Sequence, residues 1–389
     1  MSHELSKSII SAIKGVIGDS QVNLHEPEFK GNEKKYLNDC IDSTYVSSVG
    51  EYVNLFENKL ADFTNSNFVI ATTNGTAALH LALVVAGITR GDEVLVPSLT
   101  FVATANAVSY CGASPHFVDV DHDSLGIDPI KLYEYLKNTT ILKGGKCTNK
   151  FTGRPISALI PMHTFGYPAK MAAILEIGKV FKIQIVEDAA ESLGSYYKSK
   201  HTGTLGKLGA ISFNGNKIIT TGGGGAILTN DKKMAELARH LATTARVKHK
   251  WEFEHDSIGF NYRLPNLNAA LGCGQLEALQ EKLADKAKLH SKYKFAFERI
   301  DGVKLFEGIP DTKNNHWLNV LILSNTTENI LEETLSDLNE AGISSRPAWN
   351  PLHKNSAYKN AQHSDLSTTE ELSKRIINIP SSPQLLRNA

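Results

Sequence analysis

The stretch 210–231, AISFNGNKIITTGGGGAILTND, sets a single lysine, Lys217, between a β-like run and four consecutive glycines. A turn of this kind can simply leave a lysine in solvent, or it can hold the amine at one fixed place; the neighbouring elements decide which. Upstream, the β-like run GAISFN (209–214) is the last of six, after FVIATT (68–73), DEVLVPS (92–98), SPHFVDVD (114–121), SALIPMHTFG (157–166) and IQIVEDAAE (183–191). Segments with apolar residues at helical spacing separate them, beginning with NGTAALHLALVVAGI after the first run. Strands alternating with helices predict a mostly parallel sheet joined by crossover helices, an α/β fold. Downstream, 259–300 has a long helical pattern, followed by the β-like WLNVLIL (317–323) and the amphipathic NILEETLSDLNEAG (329–342). These predict a smaller α+β unit. The expected division is residues 1–265, an N-terminal segment with the large domain, and 266–389, the small domain.

Composition narrows the functions available to such a chain. Its 389 residues balance 41 Lys plus Arg against 41 Asp plus Glu, so no net positive field draws it to nucleic acid or to an acidic membrane surface. No apolar run approaches the roughly 20 residues that span a bilayer, and the polar, amphipathic start MSHELSKSIISAIKGVIGDS lacks a signal-peptide cleavage pattern. A soluble, cytoplasmic protein is expected. The four cysteines, Cys40, Cys111, Cys147 and Cys273, have no zinc-ligand spacing, and the histidines form no HExxH-type cluster. No metal is expected.

In an open parallel sheet, ligands bind beyond the carboxyl ends of the strands, and the chemically suggestive residues fall there. Asn74, Gly75 and Thr76 lie between the first strand and its helix, where backbone N–H groups can cradle a phosphate. Phe101 follows the second strand, His163 ends the fourth run and Asp188 ends the fifth. Each has an ordinary reading: a helix cap, a core aromatic, a satisfied histidine, a second cap. Together with Lys217 they match the needs of one cofactor. Pyridoxal phosphate offers a phosphate to a helix N-terminus, a flat ring to an aromatic, a pyridine nitrogen to a carboxylate and an aldehyde to a lysine.

VEDAAES (186–192) followed by SFNGNKIITTGGGGAILTND (212–231) resembles the DegT/DnrJ/EryC1/StrS sugar aminotransferases. The resemblance continues through NGTAALHLAL (74–83), VPSLTFVATANAV (96–108), HTFGYPA (163–169), GFNYRLPNLNAALG (259–272) and PLHKNSAY (351–358), in the family's order over nearly the whole chain. It implies the PLP-dependent transferase fold type I, like aspartate aminotransferase, with pyridoxal 5'-phosphate as cofactor. It makes Lys217 the Schiff-base lysine and Asp188 the partner of the pyridine nitrogen. It places Gly75, Thr76 and Ser212 around the phosphate, stacks Phe101 on the ring and leaves His163 near the cofactor. Asn261 would reach the phosphate of a neighbouring subunit, so a homodimer would share its sites. Ser47, Ser48, Arg346 and His353 match regions that border the substrate in relatives.

Segment 24–57, together with VEDAAESLGSYY and SRPAWNPLHK, looks most like the branch that aminates a nucleotide-linked 4-keto-6-deoxy-N-acetylhexosamine for legionaminic-type sugars. The resemblance thus implies transfer of an amino group from glutamate to the C4 ketone of a nucleotide sugar, with UDP-4-keto-6-deoxy-N-acetylglucosamine the expected substrate and a GDP-perosamine-type substrate the alternative. The product would serve surface polysaccharide or nonulosonic acid biosynthesis. Other classes fit less well. A PLP lyase or desulfurase commonly needs a mobile reactive cysteine, and no cysteine here sits in such a motif. A P-loop hydrolase would need GxxxxGK[ST], which is absent. A non-enzymatic regulator retaining the fold would be marked by loss of Lys217 or Asp188, and both are present. One departure is Glu191, where much of the family has His or Gln; the sequence assigns it no role.

Overall fold

The structure, a computed structural model, describes residues 2–324 and 328–387. The stretch around Lys217 forms not one strand but two, Leu208–Ser212 and Gly225–Thr229, paired antiparallel with Ser212 opposite Gly225. The second strand, GAILT, is buried throughout and was not among the six predicted runs. The chain returns through 213–224 without a crossover helix, and such a return must be antiparallel. It inserts between Leu208–Ser212 and Phe68–Thr72, so the first strand also has an antiparallel neighbour. From there Gln184–Asp188, Ile156–Leu159, Glu93–Pro97 and Ser114–Val118 continue the seven-stranded sheet, all parallel as expected.

Side chains alternate across this sheet and helices cover both faces. Val94 and Val96 point into a core with Leu79 and Leu83 of the helix Gly75–Val85, whereas Leu95 joins Ile174 and Ile177 of the helix Met171–Phe181 on the opposite face. The helix Gly75–Val85 is buried almost all round, which fixes its N-terminus against the strand ends.

The smaller unit has an antiparallel sheet in the order Val303–Leu305, Asn319–Leu323, Ile376–Ile379, Arg346–Pro347. Two helices fall on the other side of the expected division. Ser2–Ile17 puts Ile9 and Ile13 against Leu289, Tyr293, Leu321 and Ile377, within the small unit's core. Conversely, Ala269 and Cys273 of Asn266–Glu277 pack with Val53, Phe56 and Leu60, in the large unit. An amphipathic stripe reveals that a helix has a buried face and not which surface buries it; the chain from 279 onward likewise serves both units, with Leu279 and Leu283 packed beside Val53, and Leu352 and Leu366 beside Val94. Among the described residues, no helix is long and apolar enough to cross a membrane, and no group of three or more His, Cys, Asp or Glu could hold a metal ion.

Candidate active site

A cavity of about 370 Å3 opens at the carboxyl ends of the strands and is lined by Asn74, Gly75, Thr76, Phe101, Asp188, Ser212 and Lys217. Larger surface clefts exist, one of about 760 Å3 flanked by Lys179, Lys182 and Lys207, but they gather neither Lys217 nor Asp188. Chemistry, not size, selects the smaller cavity.

Its floor is the start of the helix Gly75–Val85. Asn74 caps it, accepting from Ala77 N at 2.8 Å through its side chain and from Ala78 N at 3.0 Å through its carbonyl. Gly75 and Thr76 carry helix-start amides with no intrahelical acceptor, at the end favoured by anions. The glycines here are required by closeness: a Cβ on Gly75 would stand 2.7 Å from Cβ of Ser212, and one on Gly225 would stand 2.5 Å from the carbonyl carbon of Asn74. The backbone is thus brought against the Ser212 hydroxyl, forming a small polar cradle that suits a phosphate group.

Asp188 ends its strand inside the cavity, 5 % exposed. Its Oδ2 accepts from Thr104 Oγ1 at 2.8 Å and its Oδ1 from Ala190 N at 3.2 Å. Burial pushes its pKa up against the opposing pull of these bonds and of Lys217. A carboxylate in that situation favours a cationic partner, which the protonated nitrogen of a pyridine ring supplies.

Lys217 lies on a turn closed by its own N–H to Asn214 O at 3.0 Å. Asn268, from the segment GFNYRLPNLNAALG, steadies the following glycines by donating to Thr221 O at 2.7 Å and Gly223 O at 3.2 Å. The amine is held rather than solvated. Nζ lies 3.2 Å from Glu191 Oε1 and 3.8 Å from the ring centre of Trp317, whose indole N–H donates to Asn216 O at 2.8 Å. Glu191 Oε2 accepts from Phe165 N at 2.9 Å. Burial pushes the Glu191 carboxyl up to about 7, opposed by Lys217 and the Phe165 N–H and reinforced by Asp188.

Several expected residues do not meet in this cavity. His163 is fully buried behind it, with Nε2 2.9 Å from Glu187 Oε2 and Nδ1 accepting from Ala169 N at 3.1 Å. Its ring is committed to the core, and only its backbone N–H touches the site, donating to Asp188 O at 3.1 Å. The ring nitrogens of His353 are likewise taken, one by Ser98 Oγ at 2.8 Å and the other by Glu370 Oε1 at 3.0 Å. Arg346 is exposed on an edge strand, and Ser47 and Ser48 lie on the loop before the helix Glu51–Thr64; none of the three lines the cavity. Asn261 is exposed and also absent from its own chain's cavity. Sequence reasoning in turn missed Thr104, Trp317 and Trp349, and it named Glu191 without assigning it a role. Trp349 lines the cavity and stacks on Phe165 at 4.7 Å between ring centres.

Comparison with known proteins agrees with this geometry. The model of the DegT/DnrJ/EryC1/StrS aminotransferase family matches residues 27–389. A GDP-perosamine synthase of Escherichia coli O157:H7 is 36% identical over 364 residues, covering 94% of each chain. Another GDP-perosamine synthase, from Caulobacter vibrioides, is 36% identical over 362 residues, covering 92% of this chain and 93% of the relative. Among solved structures, a DegT DnrJ EryC1 StrS aminotransferase from Brucella abortus superposes with a TM-score of 0.82 at 30% identity, covering 90% of each chain.

Proposed function

Because this chain belongs to the DegT/DnrJ/EryC1/StrS aminotransferase family and is a pyridoxal phosphate-dependent sugar aminotransferase acting on nucleotide sugars, we propose that it moves an amino group from glutamate to the C4 ketone of a 4-keto-6-deoxy sugar. The carrying observation is the convergence, in one cavity, of the Gly75–Thr76 helix start, Ser212, Asp188 and Lys217. In this reading the cradle holds the cofactor's phosphate, Phe101 covers the ring and Asp188 faces the ring nitrogen. The bound cofactor supplies a ring that withdraws electrons from the carbon losing its proton. Lys217 would hold the cofactor by its aldehyde, and its Nζ, when free, would carry the proton to or from the reacting substrate carbon. The buried floor, Asp188 and Glu191 at 5 % exposure each, keeps bulk water from competing for that proton.

Two sugar classes are worth separating. The segment 24–57 and the loop SRPAWN support UDP-4-keto-6-deoxy-N-acetylglucosamine, which we take as the substrate; the relatives named GDP-perosamine synthase support GDP-4-keto-6-deoxymannose as the second reading. Assayed at equal concentration with glutamate as donor, the UDP sugar is expected to give the higher kcat/KM. A clear preference for the GDP sugar would move the enzyme to the perosamine type and leave the cofactor site untouched.

We also take the site to be completed by a second copy of the chain, with Asn261 reaching the partner's cofactor phosphate. Lys217→Ala and Asn261→Ala proteins, each strongly impaired, are mixed by co-expression. If the site is composite, a hybrid dimer contains one doubly defective site and one intact site, and random mixing restores roughly a quarter of wild-type activity, as an isologous two-fold exchange requires. Verified hybrids without recovery would put Asn261 in its own chain's site or outside any site.

A further inference from the structure

Glu191 is held with more care than a structural carboxylate needs. One oxygen faces Lys217 Nζ at 3.2 Å and the other accepts the Phe165 N–H at 2.9 Å. Phe165 delivers that N–H from a left-handed conformation, φ 55° and ψ 17°, inside the turn Thr164–Gly166. A bulky residue in this region is strained. Packing enforces it: the Phe165 ring is 1% exposed and stacks on Trp349 at 4.7 Å, while Gly166, at φ 97°, leaves no room beside Asn315, whose Oδ1 would stand 2.0 Å from an added Cβ. Strain maintained beside a reactive group is evidence of use.

We propose that Glu191 is the proton acceptor of Lys217: its Oε1 takes a proton from the Nζ ammonium, freeing the amine to attack, and returns that proton when the amine leaves. This inference rests on the cofactor site proposed above. In the step one N–H bond breaks with its electron pair staying on nitrogen, one O–H bond forms, and the pair remains neutral overall. The Trp317 ring, 3.8 Å from Nζ, bounds the amine on its other side. Burial raises the Glu191 carboxyl to about 7, which makes it a stronger proton acceptor than an ordinary carboxylate. The titratable groups facing the pair are Asp188, which pushes Glu191 up, and the ring of His25, which burial, Lys286, Lys282 and Lys217 hold well below its usual pKa and so keep neutral. Above about pH 7 Glu191 is ionised and can accept; below it, solvent has already supplied the proton and acceptance is lost.

The test uses protein stripped of cofactor and follows capture of added pyridoxal phosphate by Lys217 through its visible absorbance, from pH 5.5 to 8.5 as a set of about seven steps. Glu191→Gln is nearly isosteric, and its one amide oxygen can still accept from Phe165, so the acceptor and negative charge facing Lys217 are removed together. Losing that charge by itself makes the ammonium easier to deprotonate, so slower capture reports the lost acceptor. The ratio of wild-type to variant rates cancels the cofactor's own titrations. The expected ratio is on the order of 10²-fold at pH 8, the low end of general base catalysis, falling toward one below pH 6. A ratio of one throughout, or a ratio that ignores pH, overturns the proposal. If circular dichroism shows that Glu191→Gln does not fold, Glu191→Asp carries the test: its more acidic side chain should move the limb to lower pH, and an unmoved limb overturns the proposal. Lys217→Ala separates the two claims. Covalent capture that persists there sinks the cofactor site itself, whereas capture lost there with a flat Glu191 ratio sinks only this inference.

Discussion

Lys217→Ala is expected to abolish turnover and the visible absorbance of lysine-bound cofactor while leaving the fold intact. Proton transfer by a positioned group is worth roughly 10²- to 10⁴-fold, and the covalent attachment is lost in addition, so residual activity should fall below detection. The fold should survive because the amine's hydrogen bond and ring contact are to Glu191 and Trp317 and the side chain lies at a cavity wall rather than in a core cluster. The substitution does leave Glu191 without its cation. Burial then pushes that carboxyl further up, so it simply takes a proton at neutral pH instead of remaining as a buried charge. Unchanged far-ultraviolet circular dichroism together with zero turnover is the predicted pair of results. Multiple turnovers near the wild-type rate would remove Lys217 from the mechanism.

How much of this was legible beforehand follows from what kind of interaction places each residue. The parallel part of the sheet was legible because Glu93–Pro97, Ser114–Val118 and Ile156–Leu159 are each followed by a helix, although Gln184–Asp188 reaches its parallel partner Leu208–Ser212 through two short strands and no helix. Gly225–Thr229 was not, since its five residues follow a glycine run with no helix between them and the neighbouring strand. The cradle and Asp188 could be read because their positions depend on local geometry, a helix start and a strand end. Lys217 belonged with them because the turn is short and glycine-rich. Glu191 was visible three residues after Asp188, but its partner is fixed from elsewhere, by Phe165 in a strained turn and by Lys217 on another strand's exit. Trp317 sits in the small unit, a hundred residues beyond Lys217 in the chain, and nothing local in NNHWLN announces that its ring confines an amine. His163 and His353 show the converse: a histidine picked out by a strand end or by a resemblance looks available until the ring partners Glu187 and Glu370 are located in space.

Asp188→Asn is expected to act in opposite directions on rate and on stability. Asparagine keeps the side chain's shape and can still accept from Thr104, but it cannot carry the charge proposed to hold the cofactor's ring nitrogen protonated. Loss of one preorganised electrostatic contact of this kind costs roughly 10²- to 10³-fold in kcat, with the cofactor still bound through the cradle and Lys217. Without cofactor the same carboxylate is a burden. Its pKa is raised in the folded protein, chiefly by burial, so in the window between its unfolded and folded pKa values the native state binds more protons than the unfolded one. Stability therefore falls as pH rises through that window, and the penalty is fully present above the folded pKa. The cofactor-free Asp188→Asn protein should accordingly melt higher than cofactor-free wild type at neutral pH, by about 1–3 °C for a chain of this size, and the difference should shrink as pH falls and Asp188 becomes neutral. A variant that lost rate without gaining stability would mean that Asp188 is well solvated in the empty site; one that kept its rate would show that the residue is only a cap on the segment that follows.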